Sequence, residues 1–186
     1  MGAAIHHRGP DDTQTMLWRN VGFVFKRRSI VDLAGGRQPF ETADGRVCAM
    51  VNGEIYNHDE IRRDLQQRYH LRSRSDCEVV PYKYLDQGLD LFRDVNGMFA
   101  MALLDRQSRR LLLARDRVGI KPLYFAVVDD GRLLVFASEL KGLFAHPSVP
   151  RRYDWHAALQ PNLGSSMRPR ELPSFFESIE KLPAGH

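Results

Sequence analysis

The sequence predicts an α/β chain, of the α+β kind, whose strands pair mainly antiparallel. Two observations carry this. Six short segments, 21–25, 47–51, 98–104, 111–114, 124–128 and 133–137, are apolar and rich in branched or aromatic residues, as strands are. Several are joined by brief polar links, 106–110 and 129–132, which suit hairpins and are too short for parallel crossovers.

Helices interrupt the strands in two places. Asn57 can cap the first, with Glu60 as its capping-box partner, and Ile61, Leu65 and the stem of Arg68 then share a face. The second follows Ser75, with Glu78 three residues on and Val79, Tyr82 and Leu85 as its buried stripe. Pro81 lies inside this helix, where an interior proline costs about 3 kcal/mol. A short helix is expected over 139–144 and a helical piece near 153–159. The first dozen residues read as a polar, turn-rich segment. Six prolines between 147 and 183, with Gly164-Ser165-Ser166, make the last stretch a connector. The expected organisation is a domain over 1–159 and a connector over 160–186.

The chain has 186 residues, 43% hydrophobic and 27% charged, enough for one soluble domain with a core. No apolar run approaches the roughly 20 residues that span a bilayer, and the N-terminal residues do not read as a secretory signal, so no membrane partner is expected. A net charge of +4 comes from small, scattered basic clusters with no nucleic-acid-binding motif, and no nucleic-acid partner is expected. Cys48 and Cys77 lack the spacing of a zinc site or a disulfide framework, which points to a cytoplasmic location.

Three local signals carry chemistry, and each has a plain structural alternative. Asn52-Gly53-Glu54 ends an apolar run. By itself the pair reads as a turn, since both residues tolerate positive φ; alternatively an amide side chain and a backbone N–H there face a developing oxyanion. Ser75-Asp76-Cys77-Glu78 reads as a helix cap, or it places Asp76 to bind an ammonium group. Arg27 is either solvated or paired bidentately with a carboxylate.

These segments fall in a fixed order with others. His7-Arg8-Gly9-Pro10-Asp11, Ser29-Ile30-Val31-Asp32, Asn52-Gly53-Glu54-Ile55-Tyr56-Asn57, Ser75-Asp76-Cys77-Glu78, Gly97-Met98-Phe99-Ala100, Arg115-Asp116-Arg117-Val118-Gly119-Ile120-Lys121-Pro122-Leu123-Tyr124 and Ala137-Ser138-Glu139-Leu140-Lys141 succeed one another along the chain. Together they resemble the class II glutamine amidotransferase domain of glutamine-hydrolysing asparagine synthetases. The match runs from His7 to about Leu159 and resumes at Lys181. Val51 ahead of Asn52-Gly53, where related amidotransferases usually carry histidine, favours the asparagine synthetase branch.

The resemblance implies a four-layer αββα sandwich of antiparallel sheets, of the N-terminal-nucleophile hydrolase type. It implies release of ammonia from glutamine by an N-terminal cysteine whose own amine moves the proton. The side chain of Asn52 and the backbone of Gly53 then form the oxyanion hole. Arg27 holds the glutamine α-carboxylate, the backbone of Arg28, Ser29, Ile30 and Val31 lines the pocket, and Glu54 and Asp76 hold the substrate, Asp76 at its α-amino group. No cofactor is expected in this chain. ATP and Mg are expected only in a synthetase domain outside it, acting in cis or trans as the partner that amidates aspartate. A homodimer is open.

The family begins Met-Cys-Gly, whereas here Met1-Gly2-Ala3-Ala4 stands just ahead of the first motif. The reading therefore expects the nucleophile and first strand to lie outside this chain, and the chain alone to be inactive. Two functions follow: an enzyme domain of an asparagine synthetase, or a non-catalytic module that binds glutamine or a partner.

Overall fold

A computed structural model of the chain describes residues 1–27, 36–159 and 174–186. The chain divides into two compact units. The larger holds Gly2, 6–121 and 184–186; the smaller holds Met1, 3–5 and 122–183.

The larger unit opens with a hairpin of β1 (Asp12–Trp18) and β2 (Val21–Arg27), paired from Asp12↔Arg27 to Trp18↔Val21. β1 is one residue half-buried and the next exposed throughout, so its polar residues Thr13 and Thr15 face solvent. A four-stranded antiparallel sheet follows in the order β3 (Phe40–Glu41), β4 (Val47–Ile55), β5 (Gly97–Asp105), β6 (Arg110–Arg115). Both central strands are buried along most of their length. On one face Val47, Ala49, Val51, Phe99, Met101 and Leu103 pack with residues of α1 (His58–Leu65) and α2 (Val79–Gln87). On the other face Cys48, Met50, Ala100, Ala102 and Leu104 are buried as well, which accounts for the near-continuous apolar runs.

Both helices form where the sequence predicts, with different ends. Asn57 makes no side-chain cap. Its amide instead donates to Asp94 O (2.9 Å) and its oxygen accepts from Asn96 N–H (2.9 Å), tying the start of α1 to the turn after α3 (Leu91–Asp94). At the second helix, Ser75 Oγ accepts from Cys77 N–H (3.3 Å). Glu78 does not close a box with Ser75. Its carboxylate takes the N–H groups of Arg72 (2.6 Å) and Ser73 (2.8 Å). A 3-10 turn over Asp76–Glu78 precedes α2, so Pro81 falls in the first α-helical turn. An N–H there has no intrahelical partner to lose, and the expected cost does not arise.

The smaller unit is a three-stranded antiparallel sheet, β8 (Leu133–Ala137), β7 (Tyr124–Val128), β9 (Glu180–Lys181). Its hairpin turns through Asp129, Asp130 and Gly131, all at positive φ (53°, 54° and 82°). Ala126, Val128 and Val135 pack with Leu143 of α4 (Leu140–Phe144), with Val149 and with Ile179. The helical piece near 153–159 is α5 (Trp155–Ala158), capped by Asp154, which accepts from Ala157 N–H. The stretch read as connector thus contributes a strand where it is described. No described helix is long and apolar enough to cross a membrane.

Candidate functional site

The site is built on the second half of β4. Asn52-Gly53 does not turn. It runs on in extended pairing, Asn52 opposite Ala100, Gly53 opposite Phe99 and Glu54 opposite Met98. Glycine is needed for a different reason from the one a turn would give. A Cβ at Gly53 would overlap the Met98 carbonyl, and Phe99 Cα would lie 2.7 Å from it. Strand alternation puts Asn52 and Glu54 on one face with Gly53 between them. All three are half-buried.

The direction of the backbone groups follows from one neighbour. Val51 N–H donates to the Gln38 side-chain oxygen (2.6 Å), and Val51 C=O accepts from the Gln38 amide (2.9 Å). Alternate residues of an antiparallel strand turn their N–H and C=O to the same side. Gly53 and Ile55 therefore face the same edge of β4 as Val51. There, Gly53 C=O accepts from the Cys77 thiol (3.6 Å) and Ile55 N–H donates to Asp76 Oδ2 (2.8 Å). The Gly53 N–H faces this edge without a hydrogen-bond partner among the described residues.

Asp76 is brought to β4 by the capped turn that Ser75 opens. Its side chain is 8% exposed. Besides Ile55 N–H, Oδ2 meets the Cys77 thiol at 3.5 Å, and Oδ1 meets the Ser75 hydroxyl at 3.4 Å. Burial, with the negative charges of Asp76 and Glu54 nearby, holds the Cys77 thiol well above its ordinary value. Burial likewise raises Cys48. Both cysteines are therefore protonated at neutral pH, and both lie inside the chain without a free α-amine.

The structure brings Asn52, Gly53, Glu54 and Asp76 together. Arg27 belongs to the same unit, as the buried last residue of β2. The Gly9 of His7-Arg8-Gly9-Pro10-Asp11 lies against its backbone, and a Cβ on Gly9 would overlap the Lys26 carbonyl. Asp11 N–H donates to Arg27 O (3.2 Å). Arg28, Ser29, Ile30 and Val31 lie outside the described residues. Gln38 carries no signal that sequence reasoning recognises. Asp116 was visible only as part of a motif. Its carboxylate accepts from the N–H groups of Phe99 (3.2 Å), Val118 (3.2 Å), Ile120 (2.9 Å) and Lys121 (3.0 Å). Burial alone would raise this carboxyl, but the four donors together hold it below its ordinary value. Among the described residues no group of three His, Cys, Asp or Glu side chains is placed to hold a metal ion.

A half-buried amide, an open backbone donor and a buried carboxylate at one strand edge suit a polar, zwitterionic amide. This chain belongs to the glutamine amidotransferase domain family, whose profile matches residues 1–186. It is 42% identical over 189 residues to asparagine synthetase (glutamine-hydrolyzing) 2 of Bacillus subtilis, a match that covers 100% of this chain and 25% of that protein. It is 40% identical over 139 residues to asparagine synthetase B (glutamine-hydrolyzing) of Escherichia coli, covering 75% of this chain and 25% of that one. Amidase chyE of Penicillium rubens is 37% identical over 183 residues, covering 98% and 26%. The chain spans about a quarter of the length of these relatives. Among solved structures, the glutamine phosphoribosylpyrophosphate amidotransferase of B. subtilis superposes with a TM-score of 0.53 at 20% identity, over 66% of this chain and 29% of that one. The fold is that of the N-terminal-nucleophile amidotransferases, an α+β arrangement of antiparallel sheets and helices.

Proposed function

We propose that this domain draws ammonia from the side-chain amide of glutamine for an asparagine synthetase. The observation that supports it most directly is the Gly53 N–H, unpartnered among the described residues, beside the buried Asp76 carboxylate. In this reading the glutamine side-chain carbonyl lies against β4. Its oxygen accepts from the Gly53 N–H and the Asn52 amide as negative charge develops on it. Asp76 takes the α-ammonium, with Glu54 beside it. Arg27 takes the α-carboxylate.

The attacking group is neither cysteine of this chain, because both thiols are buried and protonated. Attack falls instead to the N-terminal cysteine implied by the family. Its thiolate adds to the amide carbon, ammonia leaves with a proton, and water cleaves the thioester to give glutamate. ATP, magnesium and aspartate belong in this proposal to a synthetase domain, which receives the ammonia in the cytoplasm.

A second reading, a glutamine-binding module without turnover, is favoured by the burial of both cysteines. One experiment separates the two. Glutamine binding is measured by calorimetry and glutamate release by a coupled assay, on the domain in its natural reading frame. Binding with release supports the first reading, and binding without release the second. Glutamine left unbound, or bound no better than the one-methylene-shorter asparagine, contradicts both.

A further inference from the structure

Two described side chains take both backbone groups of a β4 residue: the Thr42 hydroxyl at Val47 (3.1 and 3.4 Å), and Gln38 at Val51, one residue ahead of Asn52-Gly53. β3 pairs with β4 only at Phe40↔Ala49 and Glu41↔Cys48. At the next position on that edge the ladder is continued by the Gln38 side chain in place of a backbone, through bonds of 2.6 and 2.9 Å. One position further lies Gly53, whose N–H has no hydrogen-bond partner among the described residues.

The substitution of side chain for strand has a consequence. Had β3 run on as backbone, it would have offered a carbonyl to the Gly53 N–H and closed the edge. The side chain is too short to reach past Val51, so the ladder stops there. Gln38 is 8% exposed, so little water competes for these bonds. On the far side of Gly53 the edge is held again, by the Cys77 thiol on Gly53 C=O and by Asp76 on Ile55 N–H. The Gly53 peptide is thus fixed before and after, and its N–H between them meets no partner among the described residues.

We infer that Gln38 is a positioning residue for amide hydrolysis: it ends the β3 ladder and fixes the Val51–Gly53 backbone so that the Gly53 N–H is aimed at the oxyanion. The inference rests on the oxyanion role proposed above for Gly53. Removing an oxyanion donor outright typically lowers kcat by about 10²–10³-fold. Misdirecting one lowers it less, so a loss of roughly 10- to 100-fold is expected.

The test is Gln38→Met, close in size but unable to make either bond, in the domain in its natural reading frame. Glutamine hydrolysis should lose 10- to 100-fold in kcat with KM within about twofold, since the donor acts mainly on the transition state. A merely structural role would lower melting temperature without that split. Amide exchange followed by NMR is the second measurement, and it needs no turnover. In the wild-type domain Val51 N–H should be protected and Gly53 N–H should exchange fast. In Gln38→Met, Val51 should lose its protection while Ala49 keeps it. A wild-type domain that releases no glutamate sinks the hydrolytic reading, and exchange then decides alone whether Gln38 holds this edge. Unchanged kcat, or Val51 still protected in Gln38→Met, overturns the inference.

Discussion

Asp76 and Asp116 are both buried carboxylates of the larger unit, and they are used differently. Asp116 is 1% exposed and accepts from four backbone N–H groups between 2.9 and 3.2 Å, which fills its acceptor capacity. It pins Phe99 of β5 to the loop that leaves β6, and Asp116 N–H closes the same junction on Phe99 O (2.8 Å). Asp76 accepts one backbone N–H at 2.8 Å, with a thiol and a hydroxyl at 3.5 and 3.4 Å. It keeps acceptor capacity beside an open strand edge. A carboxylate saturated by its own backbone is a structural post. One that is buried and under-used, next to a donor unpaired among the described residues, is suited to a ligand's ammonium group.

The largest effect that would break this contrast lies at Asp116. Asp116→Ala strands four N–H groups, each costing about 1–3 kcal/mol if left unsatisfied, with water relieving those in the exposed loop. A net loss of about 3–4 kcal/mol in urea denaturation is expected; a loss under 1 kcal/mol would remove its structural role. Next is Asn52→Ala, which should lower kcat for glutamine hydrolysis by about 10²–10³-fold with a small change in KM. An equal rise in KM would make Asn52 a ground-state binder.

A smaller, pH-dependent effect separates the carboxylates again. The folded-state carboxyl of Asp116 lies below its ordinary 3.8. Its contribution to stability is therefore fully present above that value and is lost as pH falls through the lower folded one. Stability of the wild type should drop in this window below 3.8, and Asp116→Asn should flatten the drop. An unchanged pH profile in Asp116→Asn would show that other carboxylates carry it. The smallest effect is at Cys48, fully buried in β4. Cys48→Ala should cost about 1 kcal/mol of stability and leave glutamate release unchanged; loss of release would make its thiol a participant.

The same contrast explains what could be read in the sequence. The six apolar segments became strands, because burial on both faces leaves an unmistakable run at 47–51 and 98–104. β1 escaped notice because its alternate residues Asp12, Gln14 and Met16 are only half-buried and Thr13 and Thr15 are exposed. Asn52-Gly53 taken alone reads as a turn, since the residues that allow positive φ also allow close backbone approach, and only the register of β5 tells these apart. Pro81 looked costly because the 3-10 turn ahead of α2 shifts the helix start. Asp76 belonged to a recognisable motif, but its contact with Ile55 spans 21 residues. Gln38 left no trace, since one side chain replacing a strand has no periodicity.

Glutamine binding by Asp76→Asn tests the role of Asp76 most directly. The asparagine keeps an oxygen for Ile55 N–H while it removes the charge and turns the other oxygen into an NH2 donor. A charge-assisted hydrogen bond is worth about 1.5–3 kcal/mol, so calorimetry should show glutamine binding weakened by roughly 10- to 150-fold at near wild-type stability. Glutamine bound by Asp76→Asn as tightly as by the wild type would contradict the assignment of Asp76 to the substrate and leave it a second structural post like Asp116.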